Sequence, residues 1–542
     1  MSAPLATAVA PGSAGYAANA ERMAGLLARL REIEARTRAA SERARERVEK
    51  RGQLLPRERV ALLLDPGEPF VELATLAGYR CDTEDAGRSI AGGGLIAGIG
   101  VVAGRRVMVS ANDSGIAAGA LQPYGLEKVL RMQEIALENR LPYVQLVESA
   151  GANLMAYRVE DFVHGGGLFR NLARLSAAGL PVVTVTHGSS TAGGAYQTGL
   201  SDHIVMVRGR TRAFLAGPPL LKAATGEVAS EEELGGAEMH TSVSGLGDHL
   251  AEDDREAIGI ARDIVAGLAW DDVAGDRAAR LAADPPLYPA EDLMAIMPAD
   301  PRRPVDMREV VARLADGSRF VETGRDYGPA TVCGTMRLAG RPLGIVTNNG
   351  PLDPAGANKA THFIQACCQT GTPILYLNNT TGFLVGREPE QAGMIKHGSK
   401  MIQAVTSATV PQITLFCGAS FGAGNYGMCG RGFAPRFAFS WPTAQTAVMG
   451  PDQAADTMAI VAEAGARRRG EEPDRTALER QRERIVAHFS SQMDVFATSA
   501  RLLDDGVIDP RDTRPLLAEL LDVCAAAEAH TVRPMQFSVA RP

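Results

Sequence analysis

Two stretches of the chain repeat each other at one fixed offset, and that repetition narrows the folds open to it. "LPVVTVTHGSSTAGGAY", from Leu180, aligns with "VPQITLFCGASFGAGNY", from Val410. Pro181 falls on Pro411, Gly188 on Gly418, Ala192-Gly193-Gly194 on Gly422-Ala423-Gly424, and Tyr196 on Tyr426. The preceding unit repeats too: "IALENRLPYVQLVESAG", ending at Gly151, matches "IQACCQTGTPILYLNNTTG", ending at Gly382. "VMVSAND" (107–113) and "GIVTNNG" (344–350) start the same series. Each half reads strand, helix, proline-initiated buried strand, loop, helix, second proline-initiated strand, glycine-rich loop. This is an alternating α/β architecture, duplicated.

The rest of the chain is organised around those halves. A chain of 542 residues exceeds one ordinary domain. The proline-rich stretch "ADPPLYPAEDLMAIMPADPRRPVD" separates the repeats and reads as an extended linker. The expected division is a tail and helix over 1–60, an N-terminal domain over 61–282, a linker over 283–304 and a C-terminal domain over 305–542. From Glu21 to about Val60, Met23, Leu26, Leu27, Leu30 and Ile33 fall at helical spacing and predict an amphipathic helix laid on the body. The opening "MSAPLATAVAPGSAGYAANA" has neither a basic start nor a compact apolar core, so it is expected to be a flexible tail and not a leader.

Composition excludes several classes. With 45% apolar and 22% charged residues and a net charge of -7, the chain is of soluble globular type, with no electrostatic case for nucleic acid. No run is long and apolar enough for a membrane span, and the cytoplasm is the expected compartment. Seven cysteines without a CxxC pair predict reduced, mostly buried thiols and no metal site.

The glycine-rich loops carry the chemistry. A strand ending in small residues before a helix presents bare backbone N–H groups at the carboxyl edge of the sheet, where α/β ligands sit. Two such donors aimed at one point can hold a developing oxyanion. The plainer alternative is that the glycines serve tight packing or positive φ. Neither loop has a phosphate-binding fingerprint, so nucleotide hydrolysis is disfavoured.

Longer strings point further: "RGQLLPRERVALLLDPGEPFVEL" (51–73), "STAGGAY" (190–196), "FLAGPPLLKAATGE" (214–227), "LGGAEMHTSVSGLGDHLAEDD" (234–254), "TGFLVG" (381–386) and "SFGAGNYGMCGRGFAPRF" (420–437). Over nearly all its length the chain resembles the carboxyltransferase (β) subunits of biotin-dependent acyl-CoA carboxylases, which are tandem crotonase-like (ClpP/crotonase) domains. It looks most like the 3-methylcrotonyl-CoA and geranyl-CoA carboxylase branch. The resemblance implies that Ala192, Gly193 and Gly194 bind the acyl-CoA, with Gly193 and Gly194 donating to its thioester oxygen as the enolate forms. Gly422 and Ala423, with Gly424 adjacent, would hold the ureido oxygen of biotin, and Lys222 would meet the CoA. In that family carboxybiotin releases CO2 in the closed site and the biotin itself then removes the substrate proton, which suits loops without an obvious catalytic His or Cys. An "AMKM"-like attachment site and ATP-grasp features are absent, so biotin is expected on a biotin carboxylase/biotin carboxyl carrier (α) partner. A homohexamer, with sites formed between the N domain of one protomer and the C domain of another, is implied as well.

The acyl group is left open by departures near the acyl-CoA side: "IAAGALQPYG" (116–125), "VHGGGLFRNL" (163–172) and Gln197-Thr198. 3-Methylcrotonyl-CoA or a related branched acyl-CoA is expected, with propionyl/acetyl-CoA or geranyl-CoA as alternatives. Arg431, Arg436, Lys396 and Lys400 are candidate phosphate partners, while His187, His164 and Asp202 read as structural. A rival from another class is a biotin-independent hydratase, isomerase or thioesterase using Glu148 as acid or base. The position matching Glu148 in the second half is Asn379, and a strand-end carboxylate capping local backbone N–H groups is the plainer reading.

Overall fold

Alternation of apolar runs with turn residues produces two sheets with the same wiring. The first contains β1 (Val71–Glu72), β2 (Leu95–Val102), β3 (Arg105–Asn112), β4 (Tyr143–Ser149), β5 (Val182–Thr191), β6 (His203–Val207), β7 (Arg212–Phe214) and β8 (His249–Ala251). The second contains β9 (Val321–Thr323), β10 (Thr331–Leu338), β11 (Arg341–Asn348), β12 (Ile374–Thr380), β13 (Gln412–Phe421), β14 (Phe437–Ser440) and β15 (Gln445–Ala447). Their orders are β1-β2-β3-β4-β5-β6-β8 and β14-β13-β12-β11-β10-β9, with β7 added to β5 and β15 to β13. The computed structural model describes residues 3–149, 158–270, 272–300, 303–470 and 472–540; Gly151, Pro301 and Arg302 lie outside them.

Both sheets begin antiparallel and then turn parallel from β3 and β11 onward. Parallel pairing needs crossover connections, and helices Gly125–Glu138 and Val159–Ala177 supply them in the first sheet, Pro354–Thr370 and Met394–Thr406 in the second. Helices and neighbouring strands cover β4 and β12, which therefore read as apolar runs: Val144, Val183 and Val265 lie in one core, Phe363, Ile364 and Tyr376 in the other. By contacts the chain divides into two compact units. One is Met1–Leu30 with Ala279–Ser499 and Leu503–Leu521; the other is Arg31–Ala278 with Ala500–Leu502 and Asp522–Pro542.

The duplication reaches further back than the fixed offset reveals. Hairpins β2–β3 and β10–β11 both turn through an Ala-Gly pair with positive φ, Ala103 (46°) and Gly104 (76°), Ala339 (49°) and Gly340 (83°), as a two-residue hairpin of matching twist requires. Asp65 accepts from the N–H of Ala103 at 2.9 Å and of Gly104 at 2.7 Å; Asp316 accepts from Ala339 and Gly340 at 2.8 Å each. Arg57 pairs with Glu72, and Arg308 with Glu322, in the same relative places.

Three expectations change. The single amphipathic helix is instead Ala14–Glu42, Arg45–Lys50 and Pro56–Leu63, interrupted by a turn at Arg43 and Ala44 and again around Gly52 (φ 61°), and restarted at Pro56. Met23, Leu27, Leu30 and Ile33 are buried as the spacing implies. The opening segment is not a loose tail: Leu5 N–H donates to Ser318 O at 2.8 Å and Ala8 N–H to Glu309 Oε1 at 2.6 Å. Finally, the proline-rich stretch contains a helical turn, Leu293–Ile296, with Leu293 and Met297 buried and Asp292 held by Arg313 at 2.7 Å.

Burial pushes the Asp65 carboxyl up, but the Gly104 N–H and Arg262 outweigh it and hold it below its usual value. Its contribution is therefore complete at neutral pH and lost as acid brings the pH down through its native titration range. Asp65→Ala leaves two turn donors unpaired and is expected to cost about 1–3 kcal/mol at pH 7, read as a lower urea midpoint; Asp316→Ala should behave alike.

Candidate active site

The two glycine-rich loops arise from one backbone manoeuvre. The first half of β5 pairs with β6, from Val183 opposite His203 to Thr186 opposite Met206, and its end pairs with β7, from Ser189 opposite Arg212 to Thr191 opposite Phe214. β13 does the same with β14 and then β15. Each change of partner falls at a glycine, Gly188 or Gly418. Opposite, β4 and β12 carry register irregularities at Glu148 and Asn379. A Cβ on Gly188 would stand 2.8 Å from Glu148 Oε1, and one on Gly418 2.5 Å from Asn379 Oδ1. The glycines leave room for those side chains.

Beyond the switch, Ala192 takes φ 53°, ψ -121°, a conformation costly for a residue with a side chain, and its N–H closes the ladder on Phe214 O at 3.0 Å. Helix Gly193–Gly199 starts immediately after it. In the second loop Gly422 has φ 55° at the equivalent place, one residue past the Phe421–Ala447 pair. Thus Gly193 corresponds to Ala423 and Gly194 to Gly424. As first-turn residues, their N–H groups precede any intrahelical acceptor, and no side chain caps either helix among the described residues. Gly193 and Ala423 are exposed, Gly194 is half-buried and Gly424 buried.

Packing also uses these glycines. A Cβ on Gly424 would lie 2.8 Å from Gly382 Cα, and one on Gly193 would lie 3.3 Å from Phe169 Cζ. Two serines absent from the sequence argument brace the turns. Ser190 Oγ donates to Gly194 O at 2.8 Å, and Ser420 Oγ accepts from Asn425 Nδ2 at 2.8 Å while donating to Asn378. Their alignment, Ser190 with Ser420, was the available signal. Lys222 is exposed on helix Pro218–Thr225, just after β7; Lys396 and Lys400 are exposed on Met394–Thr406. Asp202 accepts from Val182 N–H at 2.8 Å and is structural.

Glu148 belongs to a buried charged cluster. Arg59 joins it to Asp254, whose carboxylate also receives Leu54 N–H at 2.7 Å and lies 2.8 Å from His187 Nδ1. Ser114 Oγ donates to Glu148 Oε2 at 3.0 Å. Burial raises the Glu148 pKa, but the Arg59 guanidinium outweighs it and leaves the carboxyl below its ordinary range. Burial lowers His187, with Arg59 adding to the effect. An ionised glutamate held this way is an acceptor and a weak base, poorly suited to donate a proton. Among the described residues its partners are side chains, and not the backbone N–H groups expected of a cap. Arg59, Gln53 and Asp254 were missed because nothing local in the sequence joins them.

Removing the shared cation should expose what the cluster contributes. Arg59→Met strands two buried carboxylates and is expected to cost about 3–5 kcal/mol at neutral pH, seen as a lower unfolding midpoint. Since Glu148 and Asp254 both titrate below their usual values, that penalty should shrink as the pH falls through their native range.

Comparison with known proteins agrees with this architecture. Residues 47–536 match the family model of the carboxyl transferase domain. The chain is 49% identical over 476 residues to the probable biotin-dependent acyl-coenzyme A carboxylase β2 subunit of Mycobacterium tuberculosis, covering 88% of each chain. It is 44% identical over 504 residues to the biotin-dependent 3-methylcrotonyl-coenzyme A carboxylase β1 subunit of the same organism, covering 90% of this chain and 91% of that one. The β subunit of geranyl-CoA carboxylase from Pseudomonas aeruginosa superposes with a TM-score of 0.92 at 50% identity, over 100% of both chains. Among the described residues no helix is long and apolar enough to cross a membrane. With its duplicated crotonase-like sheets, the chain belongs to the carboxyl transferase family, as a β subunit of the biotin-dependent acyl-CoA carboxylases.

Proposed function

We propose that the chain transfers a carboxyl group from carboxybiotin, carried on an α subunit, to a 3-methyl-2-enoyl-CoA of the 3-methylcrotonyl or geranyl type. The observation that supports this most is the twinned turn: two first-turn donor pairs at equivalent strand ends, one for each carbonyl reactant. Gly193 and Gly194 hold the thioester oxygen, where negative charge collects when a proton is lost from a carbon conjugated with it. The second pair is Ala423 and Gly424. Gly422, the other candidate, occupies the place whose counterpart, Ala192, spends its N–H on the ladder. When bound, carboxybiotin supplies both the CO2 and the base for the substrate proton. The chain's residues fix the two oxygens and brace the turns through Ser190 and Ser420. Lys222 is available to a CoA phosphate, and a homohexamer is the proposed assembly.

Helix Val159–Ala177 favours the longer acyl chain. Gly165, Gly166 and Gly167 each cost a helix roughly 1 kcal/mol relative to alanine. Close packing does not explain the first two: a Cβ on Gly166 would meet nothing within 4 Å, and one on Gly165 only Leu126 Cδ2 at 3.9 Å. Phe169, on the same helix, lies against Gly193. The open face these glycines leave, on the helix whose Phe169 lies against Gly193, suits a geranyl-like tail.

The test is reconstitution with a biotinylated α subunit and comparison of acetyl-, propionyl-, 3-methylcrotonyl- and geranyl-CoA; the two 3-methyl-2-enoyl thioesters should lead. Turnover confined to acetyl- or propionyl-CoA would refute the substrate assignment. Proline is tolerated in a first helical turn while lacking the N–H, so Ala423→Pro removes one donor and should lower kcat about 10²–10³-fold. Gly422→Pro would be uninformative, because φ 55° is closed to proline.

A further inference from the structure

Segment 114–124 follows β3, and its 3-10 turn, Ala117–Gly119, packs against the carboxyl end of β4. It contains Ala117 (φ 45°), Ala118 (52°), Gly119 (76°) and Tyr124 (59°). Left-handed conformations are costly for the three that bear side chains, so the segment does not hold its own shape. Buried polar groups hold it instead. Asn112 Nδ2 donates to Gly119 O at 3.3 Å, and Asp113 Oδ1 accepts from Gly115 N–H at 3.2 Å and Ser41 Oγ at 2.5 Å. Ser114 Oγ reaches Glu148 at 3.0 Å, and Gly119 passes so close to the Glu148 carbonyl that a Cβ would lie 2.0 Å from its oxygen.

Glu148 is itself fixed from two sides. Arg59 neutralises it, and Gln53 Nε2 bridges Glu148 Oε1 at 3.4 Å to His187 O on β5 at 3.2 Å. One carboxylate thus ties the strained segment, through Gln53, to β5, the strand that leads into Gly193 and Gly194.

The second repeat is an internal control. There Gly350 stands for Ser114, Asn379 for Glu148, Val310 for Arg59 and Cys417 for His187. No residue from Asn349 to Pro354 has a positive φ. Tether and strained segment are present together in one copy and absent together from the other, as expected if the tether exists for the segment.

We infer that Ser114 and Glu148 are positioning residues that hold segment 114–124 as a wall of the acyl-CoA site, setting affinity for the acyl-CoA and not the chemistry. This rests on the assignment of the first loop to the acyl-CoA. Loss of one hydrogen bond to a charged group corresponds to roughly tenfold or more.

The experiment uses the full chain with its biotinylated partner. Ser114→Ala leaves the Arg59–Glu148 pair in place and should raise KM for the acyl-CoA about tenfold with kcat little changed, while Ser114→Thr, which keeps the hydroxyl, should restore it. In the chain alone, amide hydrogen exchange over 115–120 should quicken in Ser114→Ala and Glu148→Gln. An unchanged KM with unchanged exchange would overturn the inference. So would biotin-independent turnover of an enoyl-CoA that Glu148→Gln abolishes. Should the wild-type enzyme carboxylate no acyl-CoA, the proposed function fails, while the exchange comparison still decides whether the tether exists.

Discussion

The change of partner along β5 and β13 is the constraint from which the site follows. A strand that pairs with one neighbour and then another must bend, and the bend must be small enough to pass the residue opposite. Gly188 and Gly418 meet that condition against Glu148 and Asn379. The bend carries each strand end out to a second short partner, β7 or β15, and the ladder then stops at Ala192 or Gly422. A helix starting at once leaves its first N–H groups without intrahelical acceptors. The donors are a consequence of strand geometry, which is why no distinctive side chain marks them.

Duplication preserved the scaffold and let the surroundings diverge. The hairpin carboxylates Asp65 and Asp316 and the ion pairs Arg57–Glu72 and Arg308–Glu322 occur in both copies. The cluster of Arg59, Glu148, His187 and Asp254 occurs in the first alone. Buried charges add little net stability over well-packed apolar groups but are costly to leave half-paired. A cluster of this kind therefore fixes one arrangement of its neighbours more firmly than it strengthens the fold. In the first copy those neighbours are a strained segment and the strand leading to Gly193.

Much of this was legible in the sequence because a two-layer α/β repeat has few ways to be written. Pro181 and Pro411 marked strand starts, and the paired Gly-Gly and Ala-Gly turns marked strand ends. The earlier part of the repeat escaped notice because the first copy inserts a long connection between Glu72 and Leu95 where the second runs from Thr323 to Thr331, so a fixed offset loses register. The anchoring of the opening segment is not legible in the sequence, because backbone and carboxylate hydrogen bonds leave no hydrophobic period. The resemblance makes Gly422 a donor to biotin; its φ of 55° adds a second reason for a glycine there, since the turn itself favours a residue without a side chain.

The central claim is that main-chain donors after β5 polarise the acyl thioester. Isotope-edited infrared spectroscopy of an acyl-CoA carrying a ¹³C-labelled thioester carbonyl, bound to the protein with its biotinylated partner, tests it most directly. Two preorganised N–H donors should draw the carbonyl stretch below its frequency in water. A bound thioester with its stretch at or above the aqueous value would contradict the account.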